Sequence, residues 1–248
     1  MSTISKLALI TLFFITIQAL AIDETESLRQ RTQDKDRFTS LSLDLSGKNG
    51  NSDTENIAFG LYHSERLGAH LGFVMATREY AKSNDVESAN NLFAHARYNY
   101  YVSDTSALEL FIQHNTDDFR SLESRELTGF GYRFELNKEQ ALGIGLFDEH
   151  ERYLVNDLNE KYRQQRANFY WVYARKLNAN SVLSNTLYFQ PNINQVSDSR
   201  AFYKLSISAA LTKNTYLRFG YLIEYDSKPV LNVEKTDSSF NAGFELEF

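Results

Sequence analysis

The feature of this sequence that most restricts its fold is an alternation of apolar and polar residues with a period of two, which runs from about residue 37 to the last residue. At the chain's end, for example, Leu246 and Phe248 alternate with Glu245 and Glu247. A period of two is typical of β-strands, because successive side chains of a strand point to opposite faces. About twelve such segments occur, so the pattern predicts an all-β protein of about twelve antiparallel strands.

In each segment one face is apolar and the other is polar or small. The apolar columns include Leu41, Leu43 and Leu45; Leu71, Phe73 and Met75; Leu108, Leu110 and Ile112; Phe130, Tyr132 and Phe134; Leu142, Ile144 and Leu146; Tyr203, Leu205 and Ile207; Phe240, Phe244 and Leu246. A soluble sandwich also alternates, but its polar face meets water. Alternation alone therefore does not decide which face lies outside.

The predicted connections differ in length in a regular way. Short turns are expected near 65–68, 103–105, 137–140, 178–180 and 212–215, and longer polar loops near 47–56, 81–90, 117–124, 154–162, 191–199 and 227–236. Outer-membrane barrels have short periplasmic turns and longer external loops. The alternation of short and long connections thus favours a transmembrane up-and-down β-barrel whose apolar columns face lipid.

Aromatic placement and composition agree with a barrel. Aromatic residues fall near the turn ends of strands (Tyr100, Phe134, Trp171, Tyr173) and near the loop ends (Tyr153, Tyr225). Two such belts are expected at the two membrane interfaces.

A mean hydropathy of -0.43 argues against a bundle of membrane helices, and the absence of cysteine excludes a disulfide framework. The net charge of -6 argues against a nucleic-acid partner.

The amino-terminal residues have the layout of a secretory signal peptide. Lys6 precedes an apolar run over Leu7–Ile17, and Ala19-Leu20-Ala21 supplies a cleavage site of the small-x-small type. The predicted organisation is a signal peptide at 1–21 that is cleaved after Ala21, a polar periplasmic leader at 22–37 and an outer-membrane barrel at 38–248. Export to the bacterial outer membrane follows from this layout together with the barrel pattern.

The closing strand ends on Phe248. A terminal aromatic residue on an amphipathic last strand looks like the signal that the barrel-assembly machinery reads. The predicted partners are therefore this machinery, through the C-terminal strand, and the outer-membrane lipid with its lipopolysaccharide.

The final third of the chain resembles the YdiY-like salt-induced outer-membrane proteins, a family of largely unassigned function. The likeness is carried by Tyr188–Pro191, Leu211–Asn214, Glu224–Pro229 and Lys235–Asp237, followed by the closing strand to Phe248. The resemblance implies an outer-membrane location and a link to salt or envelope stress. It supplies no catalytic residue and no cofactor.

Two groups of residues are candidates for an enzyme site. His63 and Ser64 are adjacent, so their side chains point to opposite faces of a strand and cannot form a dyad. The Asp148–Glu151 segment is the densest ionisable cluster and is placed at the outer rim, where a hydrolase could have its site. Glu149 and Glu151 share one face and His150 takes the other. A solvated rim is the simpler interpretation, so no catalytic residue, cofactor or metal is predicted.

The polar faces of the strands are expected to line the barrel lumen. The candidate lumen-lining residues are His95, Arg97, Glu109, Arg133, Arg166, Lys204, Arg218, Glu224, Glu245 and Glu247. Buried charges persist when they are paired, so these side chains could fill the interior as a ladder of ion pairs. Alternatively, they could line a narrow pore and set its selectivity. The sequence leaves both alternatives open.

Overall fold

A computed structural model describes residues 35–48, 54–155, 158–230 and 233–248. The predicted signal peptide and most of the predicted leader, residues 1–34, lie outside the described residues. Among the described residues, no helix has the length and apolar character needed to cross a membrane.

The described chain forms twelve strands that close into one antiparallel barrel. They are β1 (Arg37–Lys48), β2 (Thr54–Leu67), β3 (His70–Ser83), β4 (Val86–Ser103), β5 (Ser106–Asp117), β6 (Leu122–Glu135), β7 (Gln140–Val155), β8 (Leu158–Asn178), β9 (Ser181–Pro191), β10 (Ser199–Ala210), β11 (Thr215–Asp226) and β12 (Thr236–Glu247). Each strand pairs with its sequence neighbours, and β1 pairs with β12, where Leu43 lies opposite Phe244. Closure removes the unpaired edges that an open sheet would expose. The prediction of an all-β transmembrane barrel of about twelve strands is confirmed.

The apolar faces of most strands lie on the outside of the barrel. Leu110, Ile112 and Phe130 are 57%, 58% and 58% exposed, whereas Arg97 and Glu109 on inward positions are 5% and 3% exposed. This is the reverse of a water-soluble protein, in which charged side chains are rarely buried. Lipid makes the arrangement stable, because it solvates the outer Leu and Phe side chains.

The third strand departs from the prediction. The alternation predicts Leu71, Phe73 and Met75 on the outward face, but they lie inside the barrel at 5%, 4% and 5% exposure. Pairing sets their face, because Phe73 lies opposite the inward Ser64 and Arg97. Phe73 and Met75 belong to an interior apolar cluster with the following residues: Phe38, Tyr62 and Phe93.

Several of the predicted long loops are also shorter than expected. In place of the loop predicted at 81–90, β3 runs to Ser83 and β4 begins at Val86. Asn84 and Asp85 alone make the turn, with φ angles of 49° and 63°. Two consecutive residues of positive φ are typical of a tight hairpin turn, and Asn and Asp tolerate this conformation best after Gly. Likewise, β7 and β8 extend to Val155 and from Leu158 through most of the predicted loop at 154–162.

Candidate functional site in the barrel lumen

The ten predicted lumen-lining residues occupy inward positions on their strands. Eight of them are buried, with exposures between 1% and 6%: His95, Arg97, Glu109, Arg133, Arg166, Glu224, Glu245 and Glu247. Lys204 and Arg218 are half-buried. Charges at such burial need partners, since an unpaired buried charge is strongly destabilising.

The best-paired charge is Glu149 on β7, which is 0% exposed. Its carboxylate accepts a hydrogen bond from Arg125 Nε at 2.7 Å and from Arg166 Nε at 2.6 Å. Arg200 Nη1 also donates to it. The guanidinium groups come from β6, β8 and β10, so they approach Glu149 from several parts of the wall. Because β8 and β9 separate β7 from β10, the contact with Arg200 crosses the lumen.

Further acids complete what we call the Glu149 cluster (Arg125, Glu149, Glu151, Arg166, Asp198, Arg200 and Asp226). Arg200 lies 2.9 Å from Glu151 and donates through Nε to Asp226 at 2.9 Å. Arg166 Nη2 donates to Asp198 Oδ1 at 2.9 Å. Charged hydrogen bonds of this kind are the strong ones, and each guanidinium presents a rigid fork that holds two partners.

A second set of ion pairs crosses the loop end of the barrel. A short 3-10 helix at Asp118–Arg120 joins β5 to β6, and the Asp117 carboxylate caps it by accepting from the Phe119 and Arg120 amides at 3.0 and 3.1 Å. Arg120 Nη2 binds Asp237 on β12 and lies 3.6 Å from Glu224 on β11. In the order of the barrel, the β5–β6 connection lies opposite the β11–β12 pair. Arg120 therefore bridges the opening.

Electrostatics keep Arg120 charged in this position. Burial opposes its charge, but the carboxylates of Glu224, Asp237 and Asp117 outweigh that effect and raise the pKa of the guanidinium above its ordinary value. A cavity of about 80 Å³ is lined by this bridge and by the Glu149 cluster. Its lining includes Arg120, Arg125, Glu151, Tyr153, Arg200 and Glu224.

The turn half of the lumen is filled by a different mixture. Glu109 on β5 accepts from Asn99 Nδ2 at 2.9 Å and, across the lumen, from Tyr170 Oη on β8 at 2.7 Å. Arg97 lies 3.7 Å from Glu109, and its guanidinium stacks near the Phe73 ring at 5.6 Å from the centroid. Cation–π contacts and apolar packing thus share this half with hydrogen bonds.

Four more of the lumen-lining residues have polar partners. His95 Nδ1 lies 3.2 Å from Gln113 Oε1, Arg133 pairs with Glu135 at 2.7 Å, and Arg218 pairs with Asp44 at 2.8 Å. Glu247 is paired with Lys35 at 3.4 Å, close to the seam where β1 meets β12. In the described part of the chain, no group of three or more His, Asp or Glu side chains is arranged to hold a metal ion.

The consequence is a lumen filled by side chains. Glu149 and Arg166 are 0% and 1% exposed in the loop half, and Asn99 and Glu109 are 0% and 3% exposed in the turn half. In a barrel with a wide aqueous channel, lumen-facing side chains contact water. Here they contact one another instead.

The side chains of the rim segment Asp148–Glu151 lie on both faces of the barrel wall. Glu149 and Glu151 point inward to the arginines, as the alternation predicts, whereas His150 and Asp148 lie outside. His150 Nε2 lies 2.6 Å from Asp148 Oδ2, and Arg163 on β8 lies 3.1 Å from the same oxygen. His63 and Ser64 are likewise on opposite faces: Ser64 is buried, and His63 Nδ1 lies 2.8 Å from Thr39 Oγ1.

Sequence reasoning missed several members of the Glu149 cluster. Arg125 and Arg200 lie within a few residues of predicted loops, and Asp198 lies inside one. On β10 every second residue faces the lumen, and this alternation continues from Ser206 and Phe202 to Arg200, all of them buried. That continuation is the signal that could have identified Arg200.

The terminal Phe248 closes the barrel seam. Its amide donates to the Thr39 carbonyl at 2.9 Å, and the Thr39 amide donates back at 3.3 Å. The Phe248 ring is 71% exposed and shares the outward face with Phe244 and Leu246. The last strand therefore presents an apolar edge to its surroundings up to the final residue.

A closed antiparallel barrel with an apolar exterior and a charged interior defines a transmembrane β-barrel of the outer-membrane class. Within that class the chain belongs to the protein family of unknown function DUF481, whose model matches residues 41–248. The match includes the final third on which the resemblance to salt-induced proteins rests. The salt-induced designation itself stays a prediction.

Solved structures of similar fold are porins and autotransporter barrels. The NanC porin is 12% identical with a TM-score of 0.51, over 84% of this chain and 98% of that chain. The translocator domain of autotransporter NalP from Neisseria meningitidis is 9% identical with a TM-score of 0.50, over 86% and 88%. The KdgM porin is 10% identical with a TM-score of 0.48, over 86% and 99%. At these identities the likeness concerns the fold alone. No curated protein sequence matches the chain.

Proposed function

We propose that this protein is a non-enzymatic outer-membrane barrel with a structural role under salt or envelope stress, and that its lumen is not an open diffusion channel. On this proposal residues 1–21 are a signal peptide cleaved after Ala21, and the β12 strand with Phe248 is the part that the barrel-assembly machinery recognises. The observation that carries the proposal is the burial of the Glu149 cluster, where Arg166 is 1% exposed and Glu149 is 0% exposed.

The same burial supports a role at high salt. Salt screens exposed charges strongly and buried pairs much less. The Glu149–Arg166 pair, at 2.6 Å and with both side chains buried, is of the weakly screened kind. If surface charges determined whether the barrel is open or closed, its conformation would change with ionic strength. The buried ion pairs of this interior are expected to keep their packing at high salt.

Planar-bilayer recording of refolded residues 22–248 tests the proposal. The wild-type barrel is expected to give no steady conductance, because the buried and paired side chains of the Glu149 cluster fill the lumen at their level. The double variant E149A/R166A removes one charge of each sign from the lumen and is expected to produce open events.

The matched control is E126A/R152A, which removes one charge of each sign from exposed positions of the neighbouring strands. It is expected to remain as silent as the wild type. Steady ohmic conductance of the wild-type barrel would instead establish an open channel and overturn the proposal.

The alternative of an outer-membrane hydrolase with a rim site near Asp148–Glu151 has one observation in its favour, the Asp148–His150 pair at 2.6 Å. Glu149 and Glu151 lie on the other side of the wall. The four groups therefore cannot converge on one substrate, and we retain the non-enzymatic barrel as the proposed function.

A further inference from the structure

A compact basic face lies on the outer surface of the β7–β8 hairpin, toward its loop end. It consists of Arg152, Lys161 and Arg163, which we call the basic face. Arg152 lies directly opposite Lys161 in the register, and Arg163 lies opposite His150, one outward step nearer the membrane. All three residues are exposed, and the Arg163 side chain is 71% accessible.

The height of the basic face follows from strand geometry. Arg163 and Tyr173 both point outward on β8, ten residues apart. At about 3.3 Å per residue the two lie about 33 Å apart along the strand, which is about 25 Å along the membrane normal at a tilt of about 40°. That distance is the height of the apolar band of an outer-membrane barrel. If Tyr173 marks the interface at the turn end, Arg163 lies at the level of the opposite headgroups.

The apolar band between these levels is continuous. Leu142, Ile144 and Leu146 on β7 are 41%, 48% and 43% exposed, and Phe169 on β8 is 42% exposed. Directly above them the outward residues become polar, beginning with Asp148. The basic face therefore borders lipid chains on one side and the external solution on the other.

Neighbouring groups hold two of the basic side chains in place. Asp148 Oδ2 binds Arg163 Nη2 at 3.1 Å, and Arg152 Nε donates to Ser124 Oγ at 2.9 Å. These contacts use part of each guanidinium and leave other N–H groups directed to the surroundings, since Arg has five donors. An Arg fork and a Lys ammonium together are the usual means of binding phosphate.

The basic face gathers three outward cations on one hairpin. Arg78 and Lys82 on β3 also point outward toward the loop end, but they lie four residues apart on a single strand, and Lys82 is opposite Glu87. On β11, the outward residues toward the loop end are Tyr221, Ile223 and Tyr225, which carry no charge. A general attraction to any anionic surface would not require three cations gathered on one hairpin. A ligand that binds at one place beside the barrel would require this arrangement.

We propose that the basic face binds the phosphate groups of lipopolysaccharide in the outer leaflet. The proposal rests on the outer-membrane location within the proposed function, and it does not depend on whether the lumen conducts. Phospholipid headgroups and free phosphate carry the same chemistry, so the test must separate them from lipopolysaccharide.

The test measures binding of purified lipopolysaccharide to the refolded barrel in detergent, for the wild type and the variant R152Q/K161Q/R163Q. Each basic residue near an anionic lipid surface contributes to the binding free energy. The triple variant is therefore expected to bind lipopolysaccharide about 10- to 100-fold more weakly. The matched control is R175Q/K176Q, at the opposite end of the same β8 strand, where Arg175 also points outward. This control is expected to bind as the wild type does.

Further arms identify the ligand. Dephosphorylated lipopolysaccharide is expected to bind wild type and triple variant equally weakly, and vesicles of phosphatidylglycerol and inorganic phosphate are expected not to compete. D148N, which removes the acid paired with Arg163, is expected to tighten binding and tests the proposal even if the triple variant fails to fold. Equal affinity of wild type and triple variant, or equal loss with phosphatidylglycerol, would overturn the proposal.

Discussion

Replacing Glu149 with glutamine is expected to lower the free energy of unfolding by about 3–5 kcal/mol, the usual cost of removing one partner from a buried ion pair. Glutamine keeps the shape of the side chain but removes the charge that Arg125, Arg166 and Arg200 share. Those guanidinium groups would then be buried with less negative charge around them. Because the cluster joins β6, β7, β8 and β10, the loss acts on the whole barrel.

Equilibrium unfolding in urea, followed by the fluorescence of Trp171, the chain's only tryptophan, measures this effect. The control is Glu126→Gln on β6, where the acid is exposed and lies opposite His150. A surface charge of this kind contributes about 0–1 kcal/mol. Similar unfolding midpoints for both variants would show that the Glu149 cluster is not a stabilising element.

Replacing Leu110 with arginine is expected to destabilise the barrel by about 2–4 kcal/mol when it is folded into vesicles, because a charge near the bilayer midplane has this cost. Leu110 is 57% exposed on the outward face of β5, between Tyr98 and Phe130 of the adjacent strands. In water the same substitution would be nearly neutral or favourable, so the sign of the effect reports the environment.

The matched control for this prediction is Leu154→Arg. Leu154 is also outward and 42% exposed, but it lies at the loop end of β7, beyond Arg152. A cost of about 0–1 kcal/mol is expected there, since the penalty falls toward the interfaces. Equal costs at Leu110 and Leu154, measured by the same urea unfolding, would argue against a lipid band between the two levels.

How far the sequence predicts this fold depends on the contrast between the two faces of each strand. In β12, Phe244 and Leu246 alternate with Glu245 and Glu247, and the structure places the apolar pair outside. In β3 the two faces differ little in polarity, because Gly72 and Val74 lie outside while Phe73 lies inside. Only pairing with β2 and β4 settles the face of such a strand, and pairing is not visible in a local pattern.

The lumen shows a second limit. The alternation of side chains along a strand assigns a residue such as Arg166 to the inward face, but it does not give the partner of that residue on another strand. The contact between Arg200 and Glu149 spans 51 residues, and that between Arg120 and Asp237 spans 117. Barrel closure and strand register bring these residues together, and neither can be read from the alternation of residues within one strand.

The central claim is that the apolar columns contact lipid while the charged faces contact one another. It is tested most directly by quenching Trp171 fluorescence in vesicles whose acyl chains are brominated. Trp171 is half-buried on the outward face of β8, next to the stacked Tyr173 ring at 6.2 Å. The comparison is W171F/F147W, which moves the tryptophan to an inward position that is 3% exposed.

Brominated chains are expected to quench Trp171 strongly and iodide in the aqueous phase only weakly, whereas the inward tryptophan should respond little to either quencher. Strong quenching of Trp171 by iodide with no effect of the brominated chains would place this face in water and contradict the account.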